Sequence, residues 1–84
     1  MMYQRVIKRA FAYPYTYYLI EEEKTIEELG KTRVYGIEIK GDNERSLVED
    51  ISCEKSLVES LFDTAVEEGL CPVHLIEVAE DLIA

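Results

Sequence analysis

The sequence predicts an α+β fold: a three-stranded antiparallel meander followed by two C-terminal helices packed on one sheet face. Three observations predict it. Residues 15–40 are rich in aromatic and β-branched residues that alternate along the chain. Residues 53–83 carry apolar residues at helical spacing. The connections are short, with Gly30 and Gly41-Asp42-Asn43 at the reversals. Strands first and helices after is α+β order, and short links favour antiparallel neighbours. A chain of 84 residues makes one domain. It divides into a basic arm (1–13), a meander (15–51) and a helical pair (52–84).

The arm reads as a short amphipathic helix over 2–11. Tyr3, Val6, Ile7, Ala10 and Phe11 fall on one side and Gln4, Arg5, Lys8 and Arg9 on the other. An extended lead-in strand is the competing reading. Pro14 stops any helix and pushes Tyr13 toward extended geometry. Tyr15 to Glu22 is the first strand. Thr25 to Leu29 either extends it or forms one arm of a hairpin that reverses at Gly30. Thr32 to Lys40 is the second strand, with Tyr35, Ile37 and Ile39 on one face and Val34, Gly36 and Glu38 on the other. A glycine in mid-strand marks a bulge or the close approach of another backbone or ring.

Residues 46–51 read as the third strand, with Leu47 and Ile51 inward. The capping-box spacing of Ser46 and Glu49 keeps a helical start open. Strand is favoured because Ser52 makes a good N-cap for a helix beginning at Cys53. This first helix runs from about Cys53 to Glu68, with Leu57, Val58, Leu61, Phe62, Ala65 and Val66 as its apolar stripe. Glu54 sits in its first turn, where the helix dipole favours an acid, and Gly69 ends it. The second helix starts at Pro72, with Leu75, Ile76, Ala79, Leu82 and Ile83 as its apolar side.

Charge narrows the function. The net charge is −9, from nine basic and eighteen acidic residues. Residues 1–20 hold Arg5, Lys8 and Arg9 and no acid, so the head is basic and the body strongly acidic. An acidic excess repels phosphates, which argues against direct nucleic-acid binding. The basic arm offers a membrane-surface reading, but docking onto its own acidic body is favoured. No run is long or apolar enough to span a membrane. Lys8 and Arg9 interrupt what a signal peptide would need as its apolar stretch. A cytoplasmic setting is expected, with Cys53 and Cys71 as reduced thiols.

Chemistry is sparse. Cys53 and Cys71 both lie at expected helix starts, where a thiol can become reactive; a small residue at a helix junction is the plainer reading. A helix between them holds them about 24 Å apart at its rise per residue. A disulfide needs Cα atoms within about 7 Å, so neither a bridge nor a shared metal is expected. Cys71 and His74 have the spacing of half a zinc set, and no second pair completes it. His74 is expected within reach of Glu77. Adjacent acids such as Glu67-Glu68 and Glu80-Asp81 do not share a helix face and read as solvated surface. The Asp42–Glu44 region lacks the spacing of a calcium loop. No enzymatic activity, cofactor, metal or small-molecule ligand is expected.

The tyrosines are the best functional candidate. Five of the six fall in the first eighteen residues, and Tyr13, Tyr15 and Tyr17 alternate. Alternating aromatics on a strand pack beneath helices or form a contact surface. Tyr17 and Tyr18 point to opposite faces, so one face carries tyrosine that two helices on the other cannot cover. Tyr15, Tyr17, Tyr18 and Tyr35 are the candidate partner-binding residues.

Four features in order form a pattern: the tyrosine-rich strand ending in Glu21-Glu22-Glu23, Tyr35-Gly36-Ile37-Glu38, Ile51-Ser52, and Pro72-Val73-His74-Leu75-Ile76. Over about residues 15–84 the chain resembles a family of small uncharacterised proteins from anaerobic spore-forming bacteria. The resemblance implies three strands then two helices and a bacterial cytoplasmic setting; it carries no activity. The expected function is a small acidic interaction module that binds a protein partner or itself, as a homodimer, through a tyrosine-bearing sheet face. The alternative is an acidic decoy that inhibits a basic, nucleic-acid-binding protein.

Overall fold

The computed structural model describes residues 3–28 and 30–83. It contains four strands and two helices: β1 (Tyr3–Ala12), β2 (Tyr15–Ile26), β3 (Gly30–Lys40), β4 (Arg45–Ser52), α1 (Lys55–Glu68) and α2 (Pro72–Ile83). The strands form one antiparallel meander in the order β1-β2-β3-β4. Both helices pack against one face of it. The α+β class and the strand reading of 46–51 stand. Leu29 lies outside the described residues, as do the side chains of Tyr3, Leu82 and Ile83 that were expected on apolar faces.

The arm is a fourth strand rather than a helix. A two-residue turn at Tyr13-Pro14, joined by a cis peptide, folds β1 back along β2 from Ala12↔Tyr15 to Tyr3↔Glu23. A short helix alone in water is marginal, whereas pairing along β2 gives every other β1 residue a ladder partner. The register slips between Val6 and Lys8. This bulge at Ile7 puts Val6 on the face away from the helices, while Ile7 and Ala10 pack against the core.

The core lies between sheet and helices. Tyr17, Leu19, Ile37 and Ile39 are fully buried, and above them sit Val58 and Phe62 of α1 and Leu75 of α2. Gly69 closes α1 in the left-handed conformation at φ 65°, and the Leu70 amide donates back to the Ala65 carbonyl at 2.9 Å. Glu54 stands at the N-cap of α1 and not in its first turn. Ser52 is not the cap; its hydroxyl accepts from the Glu54 amide at 3.1 Å.

One irregularity shapes the other face. The β3–β4 register breaks between Tyr35↔Ser52 and Ile37↔Val48, so β4 bulges opposite Gly36. A Cβ at Gly36 would sit 2.4 Å from the Val48 carbonyl oxygen and 3.0 Å from the Glu49 Cα. Only glycine permits this crossing. Asp50 takes φ 54° within the bulge, a conformation that Asp adopts more readily than most residues. Leu47 was expected inward with Ile51. It pairs with Glu38 and lies on the face away from the helices, while Val48 and Ile51 pack in the core.

Candidate functional site

The helices leave the opposite sheet face uncovered, and its residues are set by the register. Arg9, Tyr18, Glu38 and Leu47 form one row across the four strands; Phe11, Thr16, Lys40 and Arg45 form the next toward the β1–β2 turn. Val6 and Ile20 lie opposite each other in the middle, and Gln4, Glu22 and Val34 continue toward the far end. Two large apolar side chains on this face stay in water, Val6 at 51% exposed and Phe11 at 67%, while Ile20 and Val34 are buried. The Phe11 ring meets Tyr13 of the turn edge-on at 6.5 Å.

This arrangement divides the four candidate tyrosines. Tyr17 is fully buried under the helices, and its hydroxyl donates to the Leu70 carbonyl at 2.9 Å. Burial pushes its phenol pKa up. Tyr35 is also a core residue. Tyr15 is half-buried at the rim of the same layer and donates to a Glu44 carboxylate oxygen at 3.0 Å, which holds its pKa up. Tyr18 alone of the four lies on the uncovered face, half-buried, with the Lys40 ammonium 5.5 Å from its ring centre. The four therefore form no single surface.

The residues beside Tyr18 on the uncovered face escaped the sequence reading. The favoured helix reading takes Val6, Arg9 and Phe11 off the sheet, and the competing strand reading places Arg9 and Phe11 with Tyr18. Glu49 had a sequence signal only as a capping-box residue, because it reaches its partners through the β4 bulge.

Charge on this face is segregated along the strands. Near the β1–β2 turn stand Arg9, Lys40 and Arg45, with Glu38 buried among them and bonded to Arg45. At the far end the bulge brings Glu49 and Asp50 over Glu22 and Lys24. The Gln4 amide bridges Glu22 Oε2 and Glu49 Oε2, each at 3.3 Å. Lys24 Nζ lies 3.0 Å from Asp50 and 3.4 Å from Glu22 Oε1. Glu22 is 3% exposed, and among the described residues its Oε1 accepts no hydrogen bond. A shared hydrogen bond with Glu22, then burial, raises the Glu49 pKa above the ordinary carboxylate value.

The remaining contacts of β1 tie it to the helix side. Arg5 pairs with Glu21 at 3.1 Å, and Lys8 pairs with Asp63 of α1 at 2.9 Å. The basic head thus docks on its own acidic body.

Residues 2–84 match a family of unknown function, DUF6514. The chain belongs to this family. The DUF6514 match includes β1, which the resemblance over residues 15–84 had left out. No curated protein and no solved structure matches this chain.

The cysteines of this DUF6514 chain flank α1 and are free thiols, Cys53 exposed and Cys71 half-buried. His74 faces Cys71 rather than Glu77, with its Nδ1 3.3 Å from Sγ. Nucleophilic catalysis calls for a third group that orients the base. Among the described residues no side chain bonds the other ring nitrogen, and no three His, Cys, Asp or Glu side chains converge as a metal site requires. Among the described residues, no helix is long and apolar enough to cross a membrane.

Proposed function

We propose that this protein is a non-catalytic interaction module whose contact surface is the sheet face opposite the helices, centred on Val6, Phe11 and Tyr18. One observation carries the reading. This face presents Val6 and Phe11 to solvent beside Tyr18, flanked by charges of both signs. Exposed apolar and aromatic groups with a polar surround are the usual composition of a contact surface. Its partner is a protein, because aromatic rings and mixed charges suit a folded surface. The setting proposed is the cytoplasm of the anaerobic spore-forming bacteria whose proteins the sequence resembles.

A photo-crosslinking residue at position 11, compared with one at position 76 on the exposed side of α2, tests this in the producing cell. A discrete protein adduct from position 11 and none from position 76 is the expected result. The absence of an adduct from position 11 would sink the proposal.

A second reading, the acidic decoy for a basic protein, rests on the outer helix surfaces. Glu67, Glu68, Glu77, Glu80 and Asp81 are all exposed there. Such binding would come from α1 and α2 and weaken steeply with salt.

A further inference from the structure

We infer that the partner is a second copy of this chain, docked face to face and antiparallel, with the basic-aromatic end of each sheet over the acidic end of the other. This rests on the sheet-face reading above. The argument is charge complementarity. The uncovered face carries three cations (Arg9, Lys40 and Arg45) against Glu38 at one end, and three carboxylates (Glu22, Glu49 and Asp50) against Lys24 at the other. Val6, exposed, lies between the ends, with Ile20 buried beside it.

A two-fold axis across the strands at this middle row turns the face onto itself with its ends exchanged. Val6 then meets Val6 of the other copy, and the exposed cations of each copy meet the exposed carboxylates of the other. A two-fold interface uses the same patch on both copies and closes on itself. A parallel arrangement would set cations on cations and carboxylates on carboxylates, which association does not tolerate.

The Glu22 carboxylate is buried and its Oε1 already pairs with Lys24 Nζ at 3.4 Å, so Glu49 and Asp50 carry the exposed negative charge of this end.

The test is sedimentation equilibrium on two charge-altered variants, alone and mixed. Arg9→Glu with Lys40→Gln makes the basic end acidic. Glu49→Lys with Asp50→Asn makes the acidic end basic, and Asn tolerates the left-handed backbone at position 50. Arg9 and Lys40 lie in regular strand, Glu49 and Asp50 lie in the β4 bulge, and all four are exposed.

The wild type is expected to dimerise. Each variant alone should dissociate on the order of a hundredfold more readily. An equimolar mixture should recover a heterodimer, which also shows that both variants fold. A wild type that stays monomeric, or variants that dimerise as well as the wild type, would overturn the second-copy proposal. In those cases the crosslink from position 11 decides separately whether the face binds another protein: an adduct of different mass keeps the sheet-face reading, and none ends both.

Discussion

At the scale of single residues, Gly36 and Tyr17 hold positions that few substitutions would keep. Gly36→Ala forces a methyl against the Val48 carbonyl, which is backbone and has no rotamer to move. Overpacking of this kind costs about 3 kcal/mol, so the urea midpoint should fall strongly. An unchanged midpoint would mean that the bulge does not cross here. Tyr17→Phe deletes the donor to the Leu70 carbonyl and should cost about 1 kcal/mol, while Tyr18→Phe, whose hydroxyl has no described partner, should be near neutral. Equal losses in the two melts would contradict the partition of the tyrosines. Glu49 gives the pH dependence. Its folded pKa is raised, so the folded state binds more protons than the unfolded chain, and stability falls as pH rises through the carboxylate range from about 4.5 upward. Glu49→Gln should therefore stabilise the protein at neutral pH, and the gain should vanish in acid; a loss at neutral pH would reverse the sign. Gly36 was legible in the sequence because a glycine inside a strand implies close approach. The division of the tyrosines was legible only between Tyr17 and Tyr18, since alternation separates faces without saying which one the helices cover.

Among the elements, the helices, β2 and β3 were legible, because their apolar residues repeat at one period and Gly69 and Pro72 mark a helix end and start, and β4 was legible as a strand only against a helical alternative. β1 was not. Its apolar residues at 6, 7, 10 and 11 fit a helical face, and the bulge at Ile7 produces that spacing in a strand by adding one residue to the alternation. Apolar residues on both sides of β1 hid the rest. The same effect misplaced Leu47, since the β4 bulge lies between it and Ile51. The strand order sets the expected pattern of native-state hydrogen exchange. The central strands β2 and β3 should be the slowest to exchange, and the β1 amides bonded to β2 should be protected in alternation. Uniform protection through residues 3–12 would restore the helix, and none at all would mean that β1 is not held against β2.

For the whole molecule, what the sequence lacked was the uncovered face. Knowing it requires the fourth strand, the side on which two helices settle, and the reach of Glu49 and Asp50 through the bulge. None of these is a local property of the chain. Once assembled, the face has exposed Val6 between opposite charges and Phe11 at its basic end, a composition that suits the proposed self-complementary contact. The most direct test that two copies meet there is a dilution series followed by two-dimensional amide NMR. Concentration-dependent shifts should centre on Val6, Arg9, Phe11, Tyr18, Lys40 and Glu49 and leave Val73, Ile76 and Glu77 of α2 unmoved. Shifts centred on α2, or none at any concentration, would contradict the account.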